Sequence, residues 1–583
     1  MSDVVPEGLL DCVSPEPSRP GQWPRALATL VPGVRAVAVG AVMAVSAAAV
    51  AAVGTAGPAA ASSGTSSAKV WGQGSSGQLG NGSTANQSSP VDLTALAKVA
   101  QVSGGFRHTV AVRADGTAWA WGDNTKGELG NGTTTPSSVP VRVTGLTGVV
   151  QVAAGYDSSL ALRSDGTVWS WGYNISGELG DGTTNDRTTP VKVVGLTGVT
   201  QIAAGGDHSL AVRSDGTAVA WGYNGYGQLG NGTITERRTP VAVKGLTKVT
   251  QIAGGLNHSV AVRSDGTAVA WGKNTYGQLG DGTTTDRSTP VAVSGLTGVT
   301  QVSAGSDHSL AVRSDGTTMA WGYNNEGELG DGTTTTRTTP GTVPGLTGVT
   351  RVSAGLFHSV ALRSDGTVMA WGYNGYWQLG VGMITDRYSP VTVPGLSGVT
   401  QVSAGGFHTL AKVGPPELTA KATITGTRNI GATLTCKAAF LTATSIGYTW
   451  LRDGTAIPGA TTATYVPVAG DAGHEATCQV TATNGLGATD ASATITIHAP
   501  AHFTAGTTPI AHVGKRYSYR FAATGSPTPK IARVSGALPP GLKLAANGTL
   551  SGTPTRKGTY RFILSATNGI GAPAKTTKSV TVK

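Results

Sequence analysis

Along most of this chain the apolar residues fall in short, β-branched runs, separated by glycine, serine, threonine and aspartate. The stretch from Trp321 to Ala370 reads WGYNNEGELGDGTTTTRTTPGTVPGLTGVTRVSAGLFHSVALRSDGTVMA. In it VTRVSAG, HSVALRS and TVMAWG have the length and composition of strands bounded by turn residues. Ser-Asp-Gly-Thr joins the second to the third and reads as a two-residue hairpin. A fourth strand is predicted at Pro-Val-x-Val, as in Pro240–Val243. Each unit therefore predicts four short antiparallel strands.

The pattern returns with a period of 50 residues. Trp-Gly occurs at Trp71, Trp121, Trp171, Trp221, Trp271, Trp321 and Trp371, without an insertion in any unit. A repeat of this length signals a solenoid, propeller or array, and four antiparallel strands per unit make a propeller blade. An open stack would need atypical polar caps, whereas the two ends here are complementary. The opening strand, Ala68–Trp71, has no hairpin partner before it. The last unit ends HTLAKVGPPE, without its Ser-Asp-Gly-Thr hairpin and final strand. The N-terminal strand is thus expected to complete the last blade and close seven blades into a ring. The repeated WGxNxxGQLGxG, PVxVxGLxxVxQVxAGxxHSLAVRSDGT and WG resemble the regulator of chromosome condensation repeat from about Ala68 to Val413. The resemblance implies a seven-bladed propeller. Members of that family include a guanine-nucleotide exchange factor, a plant ultraviolet receptor and a secreted bacterial β-lactamase inhibitor.

Composition agrees with the strand reading. Charged residues are 13% of the 583, about half the usual ~25%. Glycine supplies 86 residues, of which 60 lie between Trp71 and Ala420. They are assigned to turns of positive φ and to close backbone approach, which is also the reading of the GxLGxG string, as in Gly177–Gly182. That string lacks the following lysine and the strand-to-helix context of a phosphate loop.

The recurring imidazoles, His108, His208, His258, His308, His358 and His408 (with Ser158 in the second unit), invite a catalytic or metal reading. In Asp-His-Ser, neighbouring residues at a strand start alternate faces and do not converge on one atom. One imidazole per blade is not a metal cluster. These histidines are read as structural, bonded to a neighbouring blade's backbone. No catalytic residue, metal or cofactor is assigned.

Strand direction places the AGxxHS and WGxNxx loops at one end of the ring, opposite the Ser-Asp-Gly-Thr hairpins. Residues that vary there within the fixed frame are the candidate partner contacts: Phe106, Tyr156, Tyr223, Tyr226, Tyr276, Tyr323, Leu356, Phe357, Tyr373, Tyr376, Trp377 and Phe407. Tyr- and Phe-rich surfaces suit protein recognition. The hot spot is placed at Leu356, Phe357, Tyr373, Tyr376, Trp377 and Phe407, because Trp377 replaces a repeat glycine. The alternative is drift in the closing blade.

The remaining segments bear on compartment. In residues 1–61, Arg25 and Arg35 precede the apolar run Ala36–Val53, and Ala59-Ala60-Ala61 follows. This has the layout of a signal peptide cleaved after Ala61; the alternative is an uncleaved anchor. The mature chain is expected to lack a transmembrane span. Cys436 and Cys478, in an exported chain, predict one disulfide. Residues 414–497 resemble an immunoglobulin-type sandwich through the order Cys436, Trp450, Cys478, with Ala476 where a tyrosine corner would be. Residues 498–583 resemble the immunoglobulin- or cadherin-like modules of bacterial surface proteins through GSPTP, LPPGL, SGTPT and ATNGIG. This last segment holds 12 Lys and Arg and no Asp or Glu, which argues against calcium between its strands. Outside a cell, such a module suits anionic wall polymers; a soluble spacer is the plainer reading, and nucleic acid does not fit the compartment.

The expectation is an all-β chain: a seven-bladed β-propeller at 62–413 followed by two immunoglobulin-like β-sandwiches. It reads as an extracellular, secreted or wall-associated, non-enzymatic scaffold that binds an extracellular protein. The alternative is a secreted enzyme inhibitor directed at a β-lactamase or protease. Nucleotide exchange, implied only by the resemblance, conflicts with export and with units that carry no insertion. The receptor analogy would need a tryptophan cluster in the GxxH loops, which is missing.

Overall fold

The computed structural model describes residues 66–583; the predicted leader lies outside them. Blade 1 consists of the strands Val99–Gly104, His108–Arg113, Ala118–Gly122 and Ser137–Arg142, hydrogen-bonded in that order from the ring axis outward. Blades 2 to 6 repeat it at residues 149–192, 199–242, 249–292, 299–342 and 349–392. In each, the two inner strands are buried along nearly their whole length, and the fourth is half-exposed.

Blade 7 closes the ring with strands from both ends of the repeat region. Val399–Ala404 and His408–Val413 form its inner half, and Ser67–Gly72 and Gln87–Asp92 its outer half. Ala68 pairs with Lys412, and Trp71 with Thr409. The N-terminal segment thus supplies two strands where the sequence led us to expect one, because the closing unit lacks both its third and its fourth strand.

The hairpins between second and third strands also differ from expectation. Arg113 N donates to Thr117 O at 2.9 Å, which leaves three residues in the loop, not two. Gly116 N donates to Arg113 O, and Gly116 takes φ +75°. This is a type I turn followed by one left-handed residue. Asp115 Oδ1 accepts from both the backbone and the hydroxyl of Thr117, which explains the recurring Asp-Gly-Thr.

Cores lie between blades. The Trp271 ring of blade 4 packs with Leu210, Val212 and Leu229 of blade 3, and Trp71 of blade 7 packs with Val360, Leu362 and Leu379 of blade 6. All seven of these tryptophans are fully buried.

Beyond the ring, Glu417–Thr425, Leu434–Leu441 and Thr464–Tyr465 form one sheet, and Thr455–Ala456, Ser445–Arg452, Glu475–Asn484 and Gly487–Thr496 the other. The Cys436–Cys478 disulfide joins the two sheets, and buried Trp450 lies 5.3 Å from the Tyr465 ring. No tyrosine stands at 476, and Tyr465 Oη instead donates to the Asp471 carboxylate. The last sandwich has its own core around Phe521, Leu550, Phe562 and Leu564. No described helix is long and apolar enough to cross a membrane.

The first sandwich is docked on the ring. Leu441 is buried in the blade 6–blade 7 core beside Val399 and Val413. Arg351 Nη2 meets Glu417 Oε1 at 2.8 Å, and Asn484 Nδ2 donates to Gly414 O at 3.0 Å. Thr442 N donates to Ser364 O, on the hairpin end of blade 6. This end is therefore partly covered at the closing seam. Truncation of a buried leucine costs about 2–5 kcal/mol, so Leu441→Ala is expected to lower the unfolding midpoint of the propeller as read by its core tryptophans. An unchanged midpoint would show that the contact contributes nothing to ring closure.

Candidate protein-binding face

Two loops build the end of the ring opposite the docked sandwich. In the WGxNxx loop, Asn124 is fully buried. Its Oδ1 accepts from Leu129 N at 2.9 Å, and its Nδ2 donates to Thr133 O and Thr135 O. The AGxxHS loop is bonded to it: Tyr173 N donates to Asp157 O and Tyr223 N to Asp207 O, each at 2.8 Å. The first variable residue of each AGxxHS loop lies at the centre of the ring, where Gly206 N donates to Gly255 O and Gly406 N to Gly105 O across blade boundaries.

Beneath this face runs a ring of imidazoles. His108 Nε2 lies 2.9 Å from Ser159 Oγ of the next blade, and Ser159 Oγ lies 3.0 Å from Glu128 O. A hydroxyl has one proton. Given to the carbonyl, it leaves the oxygen to accept from His108 Nε2–H. The imidazole is then the neutral Nε2–H tautomer, and its buried Nδ1 has no partner. The Trp171 Nε1–H donates to the same carbonyl at 2.7 Å. The pattern recurs from His208 to Ser259, His258 to Ser309, His308 to Ser359, His358 to Thr409 and His408 to Thr109. The expected backbone partner is thus a hydroxyl, which passes the bond on to backbone. Ser158 leaves one gap in the ring, before Ser209.

Burial drives His108 down to about 4 and the other five imidazoles down to about 3. An unfolded histidine titrates near 6.5, so unfolding takes up protons below that pH. The stability is complete above pH 6.5 and falls as the pH drops toward 3, by about 1.4 kcal/mol per unit for each imidazole. His258→Ser, which copies the natural Ser158, should lose stability at pH 7.5 yet show a shallower decline to pH 4 in urea unfolding. An identical pH dependence would refute buried neutral imidazoles.

The candidate aromatics form a nearly continuous arc. Tyr156 stacks on Phe106 at 4.2 Å, and Phe106 lies 6.1 Å from Phe407. Phe407 contacts Tyr376 at 4.9 Å, Tyr373 at 6.2 Å and Phe357 at 6.4 Å. Phe357 continues to Tyr323, and Tyr323 to Tyr276 at 4.9 Å. Lys273 Nζ then bridges Tyr276 and Tyr226, and Tyr226 meets Tyr223 edge-on.

Three of the sequence candidates do not belong to this surface. Leu356 and Phe106 are 1% and 8% exposed and pack together under Tyr156, Phe357 and Phe407. They are the floor of the face, because their shared AGxxHS position points to the ring axis. Trp377 makes no ring contact with the arc among the described residues. Its turn faces the outer strand of the next blade: in the equivalent loops a Cβ on Gly127 would sit 2.8 Å from Thr188 Cα, and one on Gly327 2.5 Å from Tyr388 Cδ1. Trp377 keeps the left-handed φ, +61°, and is half-buried.

Sequence reading passed over the charged groups of this face. Lys273 Nζ pairs with Asp307 Oδ1 at 3.1 Å, and Gln278 Nε2 donates to the same oxygen at 2.8 Å. At the matching blade boundaries Asp157 and Asp207 face buried Glu128 and Glu178 instead. The signal was present as GELG against GQLG, but only the fold shows that the side chain is buried.

Seven segments, residues 70–112, 115–162, 165–212, 215–262, 265–312, 315–362 and 365–411, match the model of the regulator of chromosome condensation (RCC1) repeat. Residues 499–583 match the family described as Putative Ig domain. Human WBSCR16 is similar at 27% identity over 60% of this chain and 98% of that one, with a TM-score of 0.55. Prp20p from Saccharomyces cerevisiae, whose structure was described together with its binding to Gsp1p and histones, is similar at 26% identity over 61% of this chain and 92% of that one, also with a TM-score of 0.55. No curated protein matches the chain.

Proposed function

The chain belongs to the regulator of chromosome condensation repeat family, and from that premise we propose that it is an exported, non-catalytic scaffold whose aromatic propeller face binds an extracellular protein. The observation that carries this reading is the arc of aromatic rings from Tyr156 to Tyr223, bridged by Lys273 between Tyr276 and Tyr226, at the end of the ring that the sandwich leaves uncovered. Aromatic side chains held on a rigid frame bury much area at little entropic cost. The relative Prp20p binds proteins, which supports a protein as the ligand class. The imidazoles, the residues best suited to acid–base work, are committed to bonds inside the ring. The Cys436–Cys478 disulfide favours an oxidising compartment.

Truncation of hot-spot aromatics costs about 2–4 kcal/mol each. With the full chain immobilised against proteins of the culture medium, Tyr373→Ala with Tyr376→Ala should weaken the captured partner by at least about 30-fold, a loss of ~2 kcal/mol. Equal retention by wild type and variant would remove the face as the binding surface.

The last sandwich supplies the second contact in this reading. Its cations are exposed, except for half-buried Lys578, and no carboxylate offsets them. Arg561 and Lys575 stand on neighbouring strands of one outer sheet face. The chain is expected to co-sediment with cell walls and to elute with salt, because exposed charges are screened beyond ~10 Å at 0.1 M. Arg561→Glu with Lys575→Glu should elute at distinctly lower salt. Identical elution would make the sandwich a spacer.

A further inference from the structure

The face has a second sector that the aromatic arc does not use. At the boundary of blades 1 and 2, Asp123, Glu128 and Asp157 lie together, and at the boundary of blades 2 and 3, Glu178 and Asp207. Glu128 and Glu178 are 0% and 1% exposed. One oxygen of each accepts a backbone N–H, from Lys126 and Ser176, at 2.8 Å. The other, Oε1, is buried with no partner.

Blades 3 and 4 show a satisfied version of that position. Gln228 and Gln278 place an amide there, and its Nε2 donates to Asn257 and Asp307. Asp307 receives Lys273 as well. In blade 5 Glu328 is again a buried carboxyl with an unpartnered Oε1, but the next blade carries Phe357 where Asp157 and Asp207 stand, so no acid pair forms there. In blades 1 and 2 the donor is replaced by an acceptor, so acid faces acid. The surrounding charges offer little relief. Arg107 is the cation facing Asp157, and its guanidinium lies over the Phe106 ring. Lys126 leans over Tyr173, and Asp186 and Glu236 add further negative charge near Glu178 and Asp207.

We propose that these paired carboxyls form a subsite for a basic side chain, a guanidinium or ammonium group, of the protein that the aromatic face binds. The proposal rests on the protein-binding reading and names the chemistry of the partner within it. A cation entering between the pairs supplies the donors that glutamine and Lys273 supply elsewhere. Tyr156 and Tyr173 flank the pairs.

The subsite is also proton-controlled. Burial and the neighbouring acids push Glu128 up to about 7 and Asp207 up to about 6, and raise Asp157 and Glu178 above the usual carboxylate range. Below these values the pairs hold protons and repel no one; above them they carry unmatched charge. A cationic guest favours the ionised form, so it binds more tightly as the pH rises and releases protons on binding.

The test is calorimetric titration of the full chain with an N-acetylated, C-amidated hexa-arginine peptide, comparing wild type with Glu128→Gln and Glu178→Gln together. These substitutions copy the arrangement of blades 3 and 4, so the variant should unfold at or above the wild-type midpoint at pH 8. Affinity for hexa-arginine should fall at least tenfold in the variant at pH 8, and at least tenfold in wild type between pH 8 and pH 5.5. Titrations at pH 7 in buffers of different ionisation heat should show proton release by wild type and none by the variant. Equal affinity of the two proteins overturns the subsite, and a lowered midpoint in the variant assigns the carboxyls to loop structure instead. A captured partner that is lost with Tyr373→Ala and Tyr376→Ala but retained by Glu128→Gln with Glu178→Gln would refute the subsite and leave the protein-binding reading standing.

Discussion

One carbonyl oxygen per blade boundary holds this ring together. The backbone C=O of the Glu or Gln in GxLG accepts both the indole N–H and the Ser or Thr hydroxyl of the following blade. Both donors are buried, so a missed bond would leave polar groups without partners in an apolar seam, at about 1–3 kcal/mol each. The constraint propagates. The indole must reach across the seam, so the glycine after the leucine has no side chain: a Cβ on Gly130 would sit 2.8 Å from Trp171 Cδ1. The hydroxyl has its only proton committed, so the imidazole of the preceding blade must donate.

A frame specified to this degree separates structure from recognition. The buried asparagine and the seam carbonyl hold each loop from below, and what varies above them is free to answer to a partner. The second variable residue of AGxxHS meets the residue after Trp-Gly of the preceding blade. That contact is Phe357 against Tyr323 and Phe407 against Tyr373 at two successive seams, and Asp307 against Lys273 at the seam before them. The face is therefore written in pairs across seams, aromatic in blades 5 to 7 and acidic in blades 1 to 3.

The period, the strand grammar, the closure of the ring and the disulfide were all legible in the linear sequence, because each follows from local pattern or from the complementarity of the two ends. What was not legible depends on three-dimensional neighbours. Leu356 resembles a variable surface residue until its loop is seen to point at the axis. Trp377 looks like part of an aromatic cluster until its turn is placed against the outer strand of the next blade. The partner of the histidines lies 51 residues away in a different blade, a separation at which no local rule operates. The Glu-for-Gln exchanges at 128, 178 and 328 are visible as letters, but their meaning depends on burial and on which residue the next blade sets against them.

The docking of the first sandwich changes how the two ends of the molecule relate. A ring closed by pairing distant segments is weakest at its seam, where the paired strands are not joined through a short loop of the chain. Leu441 enters the apolar core of that seam, and the Arg351–Glu417 pair and Asn484 tie the sandwich to the blades on either side of it. The module that follows the propeller in the chain thus reinforces the place where the propeller closes, at the end away from the variable loops. Rigidity at the hairpin end supports preorganisation of the loop end, since both ends share the same four strands in each blade. The aromatic and acidic sectors are consequently presented on a surface with few ways to rearrange, whose character is set by which side chains stand at each seam.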